Sequence, residues 1–217
     1  LLSSLLVAVF ALAPIAHAGD TLARVVESKT LVVGMSADQP PMNAVNRQGG
    51  YKGFDVDLAN ALANAMRADL RIEQMPFGDL MEALEDGKID MIISGMAITP
   101  ERSKNASFIG PYMMSGKSIL ATREAIQQFA AGDLSSKDVK LTALKNSTSA
   151  TFVREAAPNA TLVEVEDYAE AIAMVRSGAA AGMVADEPTC KLAVLRDPDS
   201  GLVTLDKPLT VAPFGIA

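Results

Sequence analysis

The stretch RIEQMPFGDLMEALEDGKIDMIIS, residues 71–94, decides the fold class. Its first five residues, 71–75, and its last six, 89–94, have the short apolar pattern of strands. Between them, residues 77–86 carry apolar side chains at helical spacing, and Gly87 ends the pattern. A strand, a helix and a second strand in this order predict parallel strands covered by a helix.

The same alternation continues on both sides of this stretch. Residues 31–35 predict a strand, and 54–68 predict an amphipathic helix. Further strands are predicted at 141–144, 161–165, 181–185 and 202–205, and further helices at 149–157, 168–177 and 187–196. The helix at 77–86 with its glycine recurs 91 residues later as 168–177 with Gly178. We therefore predict an α/β fold of two similar lobes, divided near residues 116–121.

Composition excludes several functions. The 217 residues are 49% hydrophobic, enough for a real core, and the net charge is −7 with acidic and basic residues interspersed. Nucleic acid is not an expected partner, because its phosphates require a basic face. His17 is the only histidine and Cys190 the only cysteine. With His17 in a removed segment, we expect no histidine catalysis, no metal and no cofactor, and Cys190 as a small buried side chain.

The first eighteen residues have the pattern of a signal peptide. Residues 1–16 are nearly all apolar, and Ala16-His17-Ala18 provides a small-residue processing site. The pattern is incomplete, because the initial Met and the basic segment of a signal peptide do not precede it. The residue directly after Ala18 is glycine rather than cysteine, so we expect an exported protein without a lipid anchor, cleaved after Ala18.

The residues that follow strands are the candidates for a ligand site, because ligands of open α/β sheets lie beyond the carboxyl ends of strands. Residues 94–102 follow one strand, with Thr99 and Pro100 placed as the start of a short helix. Arg102 would lie in the first turn, where the helix dipole disfavours a cation. Arg102 is therefore either a carboxylate ligand or a solvated surface residue.

Three other places meet the same condition. Residues 146–149, Asn-Ser-Thr-Ser, would bind an anion at a helix start or serve as an ordinary N-cap. Asp186 ends a strand, where it would hold an ammonium group or cap the next helix. The loop 36–43 contains Pro40 and Pro41, which favour a rigid segment suited to lining a cleft.

Four stretches carry a resemblance to a known family: residues 53–59, 90–102, 108–112 and 184–188. With them, nearly all of 30–217 resembles the family 3 extracellular solute-binding proteins, the amino-acid receptors of ABC importers. The resemblance implies a two-lobed periplasmic-binding-protein type II fold with a hinge between the lobes. Lobe 1 is expected at 19–115 and lobe 2 at 116–210. Residues 211–217 are expected to begin the return to lobe 1, so the sequence is expected to be C-terminally truncated relative to the family.

The resemblance also implies roles for named residues. Arg102 would bind a ligand carboxylate, and Ser147 and Thr148 would bind the same carboxylate from the other lobe. Asp186 would bind an α-ammonium. Ser94 and Gly95 would line the pocket. This sequence departs from the family pattern at three positions. They are Gln39 and Met42, where aromatic rings are usual, and Ala97, where Ser or Thr is usual.

The expected function is therefore a periplasmic receptor rather than an enzyme. It would close around a small carboxylate, with an amino acid as the expected type, and deliver it to an ABC permease in the membrane. One alternative is a periplasmic dehydratase of the cyclohexadienyl or arogenate type, with Asp186 or Glu187 as the acid. Another is a sensory ligand-binding module of a larger protein.

Overall fold

A computed structural model describes residues 18–130 and 133–217 of the protein. The predicted signal peptide lies outside the described residues except for Ala18. Within the described part, none of the helices combines the length and the apolar character that a membrane span requires.

The first lobe is built around a parallel sheet in which β1 lies between β5 and β6. A small antiparallel sheet, in the order β2-β3-β4, lies beside it. Short 3₁₀ helices cover Phe77–Asp79 and Arg102–Lys104. The elements are α1 (Ala18–Ser28), β1 (Thr30–Met35), β2 (Asp38–Gln39), β3 (Asn43–Val45), β4 (Tyr51–Lys52), α2 (Phe54–Ala65), β5 (Asp69–Gln74), α3 (Leu80–Glu85), β6 (Met91–Ile92) and β7 (Ile109–Ser115).

The second lobe holds a five-stranded sheet in the order β10-β9-β11-β8-β12. Strands β9, β10 and β11 are parallel, and β8 and β12 complete the sheet with antiparallel pairs. The elements are β8 (Lys117–Thr122), α4 (Arg123–Ala130), β9 (Lys140–Leu144), α5 (Thr148–Ala156), β10 (Thr161–Val165), α6 (Tyr168–Arg176), β11 (Gly182–Asp186), α7 (Glu187–Arg196) and β12 (Leu202–Thr204). The last strand, β13 (Ala212–Ile216), lies outside this sheet.

Two segments connect the lobes. The first runs from β7 through Gly116 into β8, and the second leads from β12 to β13, which returns to pair antiparallel with β7. At the crossing, the Lys117 N–H donates to the Thr210 hydroxyl at 3.0 Å, and the Leu209 N–H donates to the Lys117 carbonyl at 2.7 Å. A Cβ at Gly116 would overlap the Thr210 carbonyl oxygen, so the two segments approach this closely only because residue 116 is glycine.

Each lobe has its own buried core, and a further cluster joins the two lobes. Val33, Val56 and Ile93 belong to a buried cluster of the first lobe, and Leu141 and Val184 belong to one of the second. A further cluster combines buried residues of both lobes, among them Leu80, Ile92, Met183 and Tyr168. The lobes are therefore packed against each other in a closed arrangement.

The structure confirms the predicted α/β class and alternation, with local corrections. The predicted strand 89–94 is reduced to Met91–Ile92, although Asp90 and Ile93 still donate backbone hydrogen bonds to β1. The predicted helix 77–86 begins as a 3₁₀ turn before α3. Helix α1 was not predicted from the pattern. Val25 anchors it in the core, and Arg24 pairs with the buried Asp90 carboxylate.

Candidate ligand-binding site

The guanidinium of Arg102 lies between the two lobes. Nη1 donates to the Ala97 carbonyl at 3.0 Å, and Nη2 donates to the Asn146 carbonyl of the second lobe at 3.2 Å. The Phe77 ring lies beneath the guanidinium, 5.5 Å from the ring centroid to Cζ. Burial lowers the pKa of Arg102 to about 10, an effect that nearby Asp186 partly offsets. The group is therefore a cation with reduced hydration at neutral pH, which favours an anionic partner.

The turn before Arg102 fixes the position of that side chain. The Thr99 hydroxyl accepts from the Arg102 N–H at 3.2 Å, the contact expected of an N-cap three residues earlier. The predicted helix from Pro100 is instead a turn followed by the 3₁₀ helix that begins at Arg102. Arg102 therefore follows the 94–99 segment directly, and its guanidinium folds back onto that segment at Ala97.

Ser147 and Thr148 divide the roles predicted for them. The Ser147 hydroxyl accepts from the Ala150 N–H at 3.1 Å and donates to the Leu144 carbonyl at 2.6 Å, so it serves as the N-cap of α5. Thr148 is the first residue of α5 and lines a cavity of about 790 Å³ together with Arg102. Arg102 and Thr148 thus line one cavity.

Asp186 faces a lysine that the sequence pattern did not single out. Its Oδ1 lies 2.7 Å from Lys117 Nζ, and both side chains are buried. The two residues are direct cross-strand neighbours, Asp186 at the end of β11 and Lys117 at the start of β8. Asp186 makes no side-chain hydrogen bond to cap α7, so the capping alternative does not describe it. A lysine two residues before the apolar run 119–121 was the available signal.

Ser94, Gly95 and Gln39, which were predicted to line the pocket, form a buried wall inside the first lobe and do not line the cavity that Arg102 and Thr148 share. The Ser94 hydroxyl is fully enclosed, accepts from the Ser36 N–H at 3.0 Å and lies 3.3 Å from the Ser36 hydroxyl. Gly95 has φ +54°, and a Cβ there would lie 2.9 Å from the Gln39 amide, so this position favours glycine. Gln39 is buried, and its Oε1 has no hydrogen-bond partner within the described part of the protein.

Met42 and Ala97 belong to a small apolar cluster with Ala212 and Phe214. Met42 is buried, and Ala97 contributes its carbonyl to Arg102 as well as lining a second cavity of about 230 Å³. Position 97, where the resemblance implies a hydroxyl, therefore has the apolar side chain of alanine. Its backbone still takes part in holding the guanidinium.

A buried carboxylate supports this wall from behind. Asp55 accepts from Asn43 Nδ2 at 2.8 Å and from the Tyr112 hydroxyl at 2.9 Å. Burial raises the pKa of Asp55 above its ordinary value. Burial also raises the pKa of Tyr112, with the Asp55 charge adding to the shift, so Tyr112 keeps its proton and remains a donor. These hydrogen bonds tie strand β3, helix α2 and strand β7 together.

Comparison with known proteins identifies the family. The family model of the bacterial extracellular solute-binding proteins, family 3, matches residues 31–190. The ABC transporter glutamine-binding protein GlnH of Bacillus subtilis is 31% identical over 202 residues, 91% of this sequence and 72% of the relative. The ABC transporter arginine-binding protein 1 of Escherichia coli is 30% identical over 171 residues, 79% and 69% of the two sequences.

An enzyme and a solved structure complete the comparison. Cyclohexadienyl dehydratase of Pseudomonas aeruginosa is 38% identical over 96 residues, but these span only 44% of this sequence and 36% of the enzyme. A crystal structure of an ancestral amino acid-binding protein, a precursor of cyclohexadienyl dehydratase, superposes with a TM-score of 0.82 at 35% identity. The match covers 91% of this protein and 85% of that structure. The predicted type II binding-protein fold is thereby confirmed.

Proposed function

The protein belongs to the bacterial extracellular solute-binding proteins of family 3, and from this we propose that it captures a small carboxylate ligand for an ABC importer. Two relatives that match most of this sequence are named for the amino acids glutamine and arginine, which supports an amino acid as the ligand type. Receptors of this kind bind the solute between two lobes and release it unchanged. The partners are then the ligand and an ABC permease.

The observation that carries this proposal is the placement of Arg102. Its half-buried guanidinium is held at the interface of the lobes, and two of its five N–H donors are used by backbone carbonyls. The remaining donors have the planar arrangement that binds a carboxylate through two parallel hydrogen bonds. Thr148 faces the same cavity from the second lobe. In this proposal Arg102 holds the carboxylate, and Thr148 with the start of α5 completes its binding.

Hinge closure is the second part of the proposal. Lobe 1 (19–115) and lobe 2 (116–210) would rotate about the crossing at Gly116, with 211–217 returning to lobe 1. Opening would break three hydrogen bonds between the lobes. Arg102 Nη2 donates to the Asn146 carbonyl at 3.2 Å, and Asn146 Nδ2 donates to the Gly78 carbonyl at 3.3 Å. The Tyr168 N–H donates to Asp38 Oδ2 at 3.2 Å. A ligand favours closure only by the contacts it makes better in the closed state.

Location and chemistry follow from the same family. We place the mature protein in the periplasm, after cleavage at Ala18. There an ABC permease would bind its closed conformation. We assign it no catalytic role, because the dehydratase similarity is partial whereas the binding-protein similarity extends over most of the sequence. Incubation with arogenate or prephenate should yield no product, and turnover of either compound would assign the protein to the dehydratase alternative.

Thermal shift measurements with variants of Arg102 test the proposal. The protein is first screened against L-amino acids and the corresponding 2-hydroxy acids. Arg102→Ala should then abolish the ligand-induced shift, and Arg102→Lys should retain part of it, because lysine keeps the charge but loses the bidentate geometry. Arg154→Ala is the matched control. Arg154 lines the same cavity but pairs with Glu164 at 2.6 Å. A full ligand-induced shift in Arg102→Ala would refute the assigned role.

A further inference from the structure

Asn146 of the second lobe takes part in two of the hydrogen bonds that reach the first lobe. Its backbone carbonyl accepts from Arg102 Nη2 at 3.2 Å, and its side-chain Nδ2 donates to the Gly78 carbonyl at 3.3 Å. A Cβ at Gly78 would lie 3.3 Å from this Nδ2 and 3.4 Å from the Lys145 carbonyl oxygen, so the two lobes are in close contact here. Opening of the cleft would separate these atoms.

The backbone of Asn146 lies in the left-handed region, with φ +54°. Asparagine tolerates this conformation better than most residues, and glycine tolerates it without strain. The next residue, Ser147, is the N-cap of α5, so the turn at Asn146 is joined directly to the helix that begins with Thr148. A glycine at position 146 would keep the backbone conformation and the carbonyl that Arg102 contacts, but it would remove the donor to Gly78. One substitution can therefore separate the two hydrogen bonds.

Both partners of Asn146 belong to the part of the first lobe that would hold the ligand carboxylate. Gly78 directly follows Phe77, and the Phe77 ring lies beneath the Arg102 guanidinium. Nη2 of Arg102 reaches its acceptor only when the second lobe is in place. Closure of the cleft and orientation of the guanidinium are therefore coupled through Asn146.

We propose that Asn146 is a positioning residue that stabilises the closed form and orients Arg102 as the lobes close. This inference rests on the proposed function and concerns the regulation of the same site. The side chain of Asn146 acts between the lobes rather than on the ligand. One neutral hydrogen bond corresponds to about a two- to tenfold change in an equilibrium constant. A smaller closed population weakens the apparent affinity for ligand in proportion.

The closed population can be measured without any ligand. Spin labels at Ala61→Cys in α2 and Ala173→Cys in α6 occupy exposed positions of the two lobes, whereas Cys190 is buried and stays unlabelled. Pulsed electron–electron double resonance then gives the ratio of the closed to the open form. Asn146→Gly should lower this ratio by about two- to tenfold relative to the labelled wild type.

Asn159→Gly is the matched control, because it makes the same exchange elsewhere in the second lobe. Asn159 lies in the exposed turn after α5, and its N–H donates to the Ser135 hydroxyl of the same lobe at 3.2 Å. This variant should keep the wild-type distance distribution. If the distributions of Asn146→Gly and Asn159→Gly are the same, the closure role of Asn146 is wrong.

Calorimetric titration distinguishes a closure role from a ligand contact. The probes are L-glutamine, L-arginine and any further compound that shifts the melting temperature of the wild type. Asn146→Gly should raise the dissociation constant of each bound compound by a similar factor, about two- to tenfold, because the lost hydrogen bond joins the lobes. Factors that differ by more than about threefold between compounds would mean that Asn146 contacts the ligand instead.

The outcomes also separate this inference from the proposed function. If Asn146→Gly opens the protein but neither L-amino acids nor 2-hydroxy acids shift the melting temperature, the closure role stands and the proposed function fails. If such compounds bind, and Asn146→Gly matches Asn159→Gly in closed population and in affinity, the closure role fails and the proposed function stands.

Discussion

Replacing Lys117 by methionine should destabilise the protein more than any exposed lysine substitution. Methionine keeps the length of the lysine stem but removes the ammonium. Asp186 then remains buried at 6% exposure without the group 2.7 Å away that compensates its charge. The protein cannot simply rehydrate this carboxylate, because β8 and β11 pair directly at these two positions. The cost is that of an uncompensated buried charge.

The expected loss is about 3–5 kcal/mol of unfolding free energy, the range for breaking a buried pair from one side. For a domain of this size each kcal/mol shifts the melting temperature by about 2–4 °C, so a decrease of roughly 6–20 °C is expected. Asp186→Asn should be similarly unfavourable, because it leaves the ammonium alone. The double variant K117M/D186N should recover at least half of the loss, since neither charge then remains buried and unpaired.

Urea unfolding followed by circular dichroism measures these four proteins as a double-mutant cycle. Lys104→Met is the control, because Lys104 pairs with Glu101 at 2.7 Å while both side chains are largely exposed. Such a pair contributes about 0–1 kcal/mol. If Lys117→Met costs no more than Lys104→Met, the Lys117–Asp186 pair is not the desolvated interaction that the structure indicates.

Three further outcomes test other parts of the structure. Ser147→Ala removes the N-cap of α5 and should lower the unfolding free energy by about 1 kcal/mol in urea titration; no change would mean that its two hydrogen bonds do not form in solution. Gly116→Ala forces a methyl group against the Thr210 carbonyl and should lower the unfolding free energy by about 1–3 kcal/mol. If this variant is as stable as the wild type, the two connecting segments do not approach as closely as the structure shows. Burial raises the pKa of Cys190 to about 12, so thiol reagents at pH 8 should label it only after unfolding, and rapid labelling of the folded protein would contradict its burial.

The fold could be predicted from the sequence because its elements have strong periodicity and clear ends. Helices α6 and α7 begin where the pattern placed them, and strand β10 agrees at both ends. Strand β6 is shorter than the apolar run that predicted it. An apolar residue indicates a buried position, but not that its backbone pairs with a neighbouring strand. Ile93 and Met96, for example, are buried without belonging to a strand. Helix α1 joins the predicted signal segment, so the apolar signal ahead of it obscured its own pattern.

The site could be predicted only where one residue carries the signal. Arg102 stood out because a cation at a helix start is unusual, and the structure places it at the lobe interface. Thr148 was assigned to the site by the family resemblance, because its position alone also fits an ordinary N-cap segment at the start of α5. Lys117 was missed because its partner is 69 residues away, and the pairing exists only once β8 and β11 are in register. Spacing along the sequence does not reveal such a contact.

Stability alone does not account for a buried pair at this place. Exchanging a buried ion pair for apolar residues of similar volume is often neutral or stabilising, so a hydrophobic pair at 117 and 186 would serve the sheet equally well. What an apolar pair cannot do is present charge beside Thr99 and Thr148 in the cleft. If a charge-free pair restores folding and changes the affinity for the ligand, stability and binding are separated at these two positions. We therefore expect K117M/D186N to be a stable protein whose ligand affinity differs measurably from that of the wild type.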